Sequence, residues 1–205
     1  MAKGPVPKGP ATRRLILASA SPQRKKLLEE AGYEFTVYPP APDVETKFPR
    51  TILPADLAQA LSKAKAEAVA PTFPDAVVLG ADTIVAFGDM TLGKPKDAEH
   101  ARKMLELLAG TTHIVITGVT VICSDANFYR STRVMSAVRM KVLTDKEIER
   151  YVESGDWQGK AGGYGIQDKD PFVERVRGDH ENIIGLPMKK TPQLLEEAGI
   201  FPREK

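Results

Sequence analysis

The chain has 205 residues, of which 42% are hydrophobic and 27% charged, as in ordinary globular domains. Its 29 basic and 27 acidic residues leave a net charge of +2, which argues against a nucleic-acid-binding surface. No segment approaches the ~20 consecutive apolar residues of a membrane span, so the expected location is the cytoplasm, without a membrane partner.

The first twelve residues are rich in Lys, Gly and Pro and lack an apolar stretch, which excludes a signal peptide there. We expect residues 1–12 to form a flexible tail and residues 13–205 a single domain. The only cysteine, Cys123, lies in an apolar run, where packing in the core is the expected role.

The first predicted element is a short buried strand, Leu15–Leu17, followed at once by a helix start. Ser21 has the residue type of an N-cap and Pro22 that of a first helical residue. The helix N-terminus, the hydroxyls of Ser19 and Ser21, and Arg24 together suit a phosphate group. The alternative is that Ser21 only caps the helix and Arg24 lies in solvent.

The segment from Tyr33 to Pro54 contains five prolines, which exclude a long helix there and indicate an extended stretch. This stretch contains Asp43 and Glu45. The next segment, Ala55–Ala70, is rich in helix-forming residues. The residues expected to form its buried stripe are Leu57, Leu61, Ala64 and Ala68. On this helix Lys65 lies along the buried edge, whereas Lys63 points away.

A continuous apolar strand is predicted over Ala76–Phe87, with interruptions at Gly80, Asp82 and Thr83. An unpaired carboxylate is costly to bury, so Asp82 must lie beside a cation, a metal or a cleft. Two interpretations remain open for Asp82 at this point, catalysis and a structural salt bridge.

The remaining pattern alternates helices with β-branched runs, so we expect an α/β fold with a mixed sheet. Its predicted elements are a helix from Asp97 to Gly110, a hairpin of Ile114–Ile122 with Phe128–Val142, a helix opened by the capping box Thr144–Glu147, a strand Phe172–Val176 and a last helix from Thr191 to Gly199.

Further candidate site residues lie in two glycine-containing loops. Lys94, between a glycine and a proline, would add a third cation to Arg24 and Lys65, about what a triphosphate requires, and Lys160 would be a fourth. Alone, Lys94 reads more simply as a solvated lysine. Gln167 offers a donor and an acceptor to a base, although Tyr164 and Ile166 beside it equally suit ordinary packing.

Several motifs occur together in order, and as a set they resemble the Maf family of nucleoside triphosphate pyrophosphatases. The motifs are LASASPQR from Leu17, Glu45, KAEA with Lys65, GADTIV from Gly80, GKP from Gly93, LLAGTTHIVITGV from Leu107, SGDWQGKAGGYGIQ from Ser154 and ENIIGLP from Glu181. The resemblance implies an elongated, two-lobed α/β fold of the inosine triphosphate pyrophosphatase type, with the nucleotide in a central cleft.

The resemblance also implies roles for individual residues. Asp82 would be the proton acceptor that activates water, with Lys65, Lys94 and Arg24 stabilising the phosphates. Glu45 and Asp82 are oxygen donors that suit a divalent cation, Mg²⁺ or Mn²⁺. In the family an additional acidic residue usually stands between Val44 and Glu45.

Base selection in the family is assigned to the positions of Gln23, Thr83 and Gln167. In the branch that resembles dTTP and UTP pyrophosphatases these are Arg, Thr and Gln, so Gln23 departs from the pattern. Asp168 also departs, because it stands where a glycine usually follows Gln167. We therefore expect cleavage of dTTP, UTP or modified pyrimidine nucleotides to monophosphate and pyrophosphate, in cleansing of the nucleotide pool.

The alternatives are a nucleotide-binding regulator of cell division without turnover and a 7-methyl-GTP-type pyrophosphatase. The expected partner is a nucleoside triphosphate rather than nucleic acid, with a homodimer left open as the assembly.

Overall fold

The computed structural model describes residues 13–42, 44, 52–169 and 172–203, so the predicted tail, Asp43 and Glu45 lie outside the described residues. Its main elements in chain order are β1 (Leu15–Leu17), α1 (Pro22–Glu30), β2 (Thr36–Val37), α2 (Pro54–Val69), β3 (Val77–Phe87), β4 (Met90–Leu92), α3 (Ala98–Leu108), β5 (Thr112–Cys123), β6 (Phe128–Met140), α4 (Asp145–Ser154), β7 (Val173–Arg177), α5 (His180–Ile184) and α6 (Thr191–Glu197).

The described strands form one mixed sheet in the order β2-β1-β3-β5-β6-β7, with β4 beside β3. Strand β1 runs parallel to β2 and β3, and the other neighbours are antiparallel. The predicted α/β fold with a mixed sheet is thus confirmed, including the β5–β6 hairpin. The sequence analysis did not identify β2, β4 and α5, which are too short to show a periodicity.

Helix ends follow the local chemistry of the sequence. The Ser21 side chain accepts a hydrogen bond from the Arg24 amide at the start of α1. At the start of α4, Thr144 and Glu147 form the predicted capping box. The Thr144 amide and hydroxyl both donate to this carboxylate, and together with Lys141 they lower the pKa of Glu147 to about 2.

The predicted stripe of α2 was wrong in phase, because Ala68 is exposed and Ala64 only half-buried. The buried residues are Ala58, Leu61, Ser62, Lys65, Ala66 and Val69. Small side chains of α2 face the sheet because its backbone lies directly against two strand glycines. A Cβ atom on Gly80 would lie 2.3 Å from the Ser62 carbonyl oxygen, and one on Gly118 would lie 2.1 Å from the Ala58 carbonyl oxygen.

The opposite face of the sheet carries two separate apolar clusters. One cluster joins the β1 end of the sheet to α1 and α6, through residues such as Leu17, Leu79 and Leu195. The other joins Val85 and Val115 to residues of α3 and α4. The long strands β3 and β5 contribute to both clusters, so the two halves of the domain share one sheet.

A gap on one side of β3 separates these two halves. Strand β1 pairs with residues 77–79 of β3, and β4 pairs with residues 85–87. Between them, no described strand pairs with β3 on this side, although β5 continues along the other. Asp82 and Thr83 lie in this gap. Side chains that leave a strand on opposite faces can therefore both reach one opening.

Candidate active site

A cleft of about 330 Å³ opens beside β3, at the gap between β1 and β4. Every predicted site residue that the structure describes lines it, namely Ser19, Ser21, Gln23, Arg24, Lys65, Asp82, Thr83, Lys94, Lys160 and Gln167. They come from elements that are far apart in the chain. The fold thus brings the candidate residues together, and their individual roles remain predictions.

Asp82 and Lys65 form a direct, buried ion pair on the α2 side of the cleft. Both side chains are largely inaccessible, at 7% exposure for Lys65 and 11% for Asp82. Each charge offsets the cost of burying the other. Gly80 and Gly118 flank Asp82, since Gly80 precedes it by two residues and Gly118 is its partner on β5. These glycines let α2 approach closely enough for Lys65 to reach the carboxylate.

Arg24 occupies the other side of the cleft and is only 7% exposed, so the alternative that it lies in solvent is wrong. Its Nε donates to the Gly185 carbonyl at 2.8 Å, and its Nη1 and Nη2 donate to the hydroxyls of Ser19 and Thr83, both at 3.0 Å. The guanidinium therefore connects the loop after β1, strand β3 and the turn after α5.

The hydroxyl of Thr83 has a defined polarity. Thr117 Oγ1 donates to the Asn182 carbonyl at 2.9 Å, so it accepts the proton of Thr83, also at 2.9 Å. A second acceptor for that proton, the Gly185 carbonyl, lies at 3.4 Å. Both acceptors belong to the protein, so this arrangement leaves the Thr83 oxygen available to accept a hydrogen bond from a ligand.

Gln23 determines the orientation of a neighbouring hydroxyl in the same way. The Ser21 hydroxyl donates to Gln23 Oε1 at 2.9 Å. Because arginine has no acceptor atom, an Arg at this position could not take that proton. The amide at position 23 is therefore coupled to the serine that caps α1.

On the remaining wall of the cleft, Lys94 is exposed whereas Lys160 forms a half-buried ion pair with Asp168. The loop that carries Lys160 is attached to that of Lys94, because the Gly162 amide donates to the Gly93 carbonyl at 3.0 Å. The pairing of Lys160 with a carboxylate was not predicted, and the role of Lys160 as a fourth phosphate-binding cation stays a prediction.

Tyr164 lines the cleft from a buried position, and its hydroxyl lies 2.6 Å from His113 Nε2. Burial lowers the pKa of His113 to about 4 and raises the pKa of the Tyr164 hydroxyl. Both groups are therefore neutral near pH 7 and act as an uncharged support for this wall. No described residue partners His113 Nδ1.

Comparison with known proteins agrees with the geometry. The profile of the family described as Maf-like protein matches residues 14–198. The chain belongs to this Maf-like family. It is 45% identical to a dTTP/UTP pyrophosphatase of Bacillus pumilus over 92% of this chain and 98% of that protein. It is 42% identical to a dTTP/UTP pyrophosphatase of Syntrophus aciditrophicus, over 92% and 91%.

The candidate site of this Maf-like protein offers few metal ligands among the residues that the structure describes. Among the described lining residues, Asp82 is the only one with a carboxylate. The described part of the chain also contains no cluster of three or more His, Cys, Asp or Glu side chains that could hold a metal ion. Glu45, the second predicted ligand, lies outside them. Within the same ranges, no helix combines the length and apolarity needed to cross a membrane.

Several residues that shape the Maf-like site escaped the sequence analysis. Thr117 and Asn182 orient Thr83, and Asp168 pairs with Lys160, although none of the three was assigned such a role. Gly80 and Gly118 could have been identified, because a glycine inside a strand often marks a close backbone approach. The other contacts join residues that no local pattern relates.

Proposed function

We propose that this Maf-like protein hydrolyses nucleoside triphosphates between the α- and β-phosphates, with dTTP and UTP as preferred substrates. The main support is the convergence of ten predicted site residues on one cleft. The names of the relatives, dTTP/UTP pyrophosphatase, support the same substrates. In this proposal the enzyme acts in the cytoplasm to remove nucleotides from the pool, and a homodimer stays a prediction.

A divalent cation is part of this proposal because the cleft contains too little positive charge for a triphosphate alone. Four cationic side chains line it among the described residues, but Asp82 and Asp168 each pair with one of them. Mg²⁺ commonly binds through one or two carboxylates together with substrate phosphates, which fits a site with Asp82 and Glu45 as protein donors. When bound, Mg²⁺ or Mn²⁺ would neutralise phosphate charge.

Asp82 is the residue proposed to orient water and accept its proton for in-line attack at the α-phosphorus, with pyrophosphate as the leaving group. Lys65 holds this carboxylate in place through the ion pair and lies beside the phosphates. Arg24 and Lys94 supply further positive charge to the transition state. Burial of the Asp82–Lys65 pair strengthens the attraction that holds the carboxylate in place, since water screens buried charges less.

For the base, the polarity of Thr83 favours a group that donates, such as the single ring N–H of thymine or uracil. Gln167 lies exposed on the cleft wall and offers both a donor and an acceptor to the carbonyls beside that N–H. Together these contacts favour keto pyrimidines over cytosine, whose corresponding ring nitrogen only accepts.

The direct test is incubation with dTTP, UTP, CTP, GTP and 7-methyl-GTP, with Mg²⁺, with Mn²⁺ and with EDTA, followed by identification of the products. We expect monophosphate and pyrophosphate from dTTP and UTP, and loss of turnover in EDTA. Nucleotide binding without turnover would instead support the regulator. A preference for 7-methyl-GTP would contradict the substrate assignment while retaining the reaction.

Two lysines two positions apart on α2 provide a matched pair of variants. Lys65→Ala should reduce kcat by roughly 100-fold, because it removes phosphate stabilisation and leaves Asp82 without its partner. Lys63→Ala should leave kcat unchanged, since Lys63 is exposed and pairs with Glu67 on the surface. Steady-state kinetics with dTTP checks both, and equal losses in the two variants would contradict the role of Lys65.

Base selection can be tested at Gln23 and Gln167. Gln23→Arg should raise the preference for dTTP over CTP several-fold, because it releases the Ser21 proton and adds a charged donor. Gln167→Ala should lower that preference by about tenfold, with little change in CTP cleavage. The measurement is kcat/KM for both nucleotides. Unchanged ratios in both variants would remove these residues from base selection.

A further inference from the structure

Asp168 follows Gln167 directly and is held by three donors. The Tyr151 hydroxyl donates to Oδ2 at 2.7 Å, the Gly165 amide donates to the same oxygen at 3.0 Å, and Lys160 Nζ contacts Oδ1. The carboxylate packs closely against Gly165, since a Cβ atom at that position would lie 2.5 Å from Oδ1. The carboxylate is therefore a fixed feature of this wall.

Lys160 lies between this carboxylate and the cleft. Its side chain is 14% exposed and that of Asp168 is 11% exposed, so water screens the pair only weakly. Lys160 lines the cleft, whereas Asp168 does not. A ligand in the cleft would therefore contact the N–H donors of an ammonium group whose positive charge is offset by Asp168.

A phosphate gains most from uncompensated positive charge. Lys65 is paired as well, but its partner Asp82 lines the cleft and would share its charge with a bound divalent cation. Asp168, in contrast, does not line the cleft and keeps its charge for Lys160. Lys160 is therefore the less suited of the two lysines to a phosphate.

Lys160 is well suited to a neutral acceptor, because ammonium is donor-only. Tyr164 and Gln167 on this wall are uncharged, whereas Lys94 on the same wall is charged and exposed. A carbonyl oxygen matches these properties, whereas the amino group of cytosine would oppose donor to donor.

We propose that Asp168 is a positioning residue that converts Lys160 from a phosphate ligand into a neutral donor to a carbonyl oxygen of the pyrimidine base. This inference rests on the proposed function, since it assigns the keto base of the same substrate. It places the Lys160–Asp168 pair among the determinants of base selection, apart from the cations that face the phosphates.

The test measures binding without turnover, by titration calorimetry with three ligands. They are α,β-imido dTTP, α,β-imido dCTP and inorganic tripolyphosphate, which has no base. Lys160→Ala should raise the Kd of the dTTP analogue by about tenfold and leave the Kd of tripolyphosphate unchanged. Asp168→Asn retains the volume of the side chain but removes the negative charge that offsets Lys160. Tripolyphosphate should therefore bind roughly 3- to 5-fold more tightly.

Two controls separate this role from a structural one. The double variant Asp168→Asn/Lys160→Met leaves no unpaired charge and should lose the gain in tripolyphosphate binding. Glu174→Gln breaks the exposed pair with Arg139 and should leave the Kd of all three ligands unchanged. A merely structural role would weaken all three ligands together, and melting temperatures identify variants that fail to fold.

The inference is overturned if Lys160→Ala weakens tripolyphosphate as much as the dTTP analogue, or if it changes neither. It is also overturned if Asp168→Asn does not tighten tripolyphosphate binding. Because no ligand needs to be cleaved, absence of hydrolysis in the wild-type protein would defeat the proposed function alone and leave these binding results interpretable.

Discussion

Replacement of Asp82 by Asn is expected to reduce kcat for dTTP by about 1,000-fold, equivalent to roughly 4 kcal/mol of transition-state stabilisation. The amide has nearly the same shape but cannot accept the proton of the attacking water. Nucleotide affinity should change much less, because Arg24 and Lys94 remain. Single-turnover kinetics together with titration of α,β-imido dTTP would separate the two effects.

The substitution also breaks the buried ion pair between Asp82 and Lys65, so the fold must be checked by thermal unfolding. Asp75→Asn is a suitable control, because Asp75 pairs with Arg14 at the surface, where both side chains are 64% exposed. Its activity should equal that of the wild type. Near-normal turnover of folded Asp82→Asn protein would remove Asp82 from the mechanism.

Gly118→Ala should destabilise the protein by roughly 3 kcal/mol. The added methyl group would overlap the backbone of α2, lying 2.1 Å from the Ala58 carbonyl oxygen and 2.7 Å from the Gln59 amide nitrogen. Backbone atoms of a helix cannot rotate away as a flexible side chain can. The helix would have to move, and Lys65 would move with it, so kcat should fall as well.

Urea unfolding measures the stability loss, and Gly93→Ala provides the matched control. A Cβ on Gly93 has no neighbour within 4 Å and the residue has no positive φ, so its substitution should cost little stability. If Gly118→Ala were as stable as Gly93→Ala, the close approach of α2 to the sheet would be refuted.

The main elements were predictable where a local residue pattern by itself indicates burial, a helix face or a helix end. The polar interruption at Asp82 within an apolar strand indicated a site, because burial of an isolated charge is unfavourable. The opposite environments of Lys63 and Lys65 followed from helical periodicity alone. The caps at Ser21 and Thr144 followed from local hydrogen-bonding chemistry.

The rest depended on contacts between distant segments, which no local pattern encodes. The stripe of α2 was wrong because its phase was counted from Leu57, whereas the close approach to the two strand glycines selects the phase that places Ala58, Ser62 and Ala66 against the sheet. The pairing of Lys160 with Asp168 arises from a folded loop rather than from a regular element. The roles of Thr117 and Asn182 require the packing of α5 against β5.

The gap beside β3 separates the two halves only on one side, because β3 and β5 continue through both apolar clusters. A hinge between independent lobes would require a flexible connection, but here the connection is a pair of hydrogen-bonded strands. The cleft can therefore widen only as far as the sheet can twist or the surrounding loops can move. For the same reason neither half can lose its core while the other keeps its own, so the whole sheet should melt in a single cooperative transition.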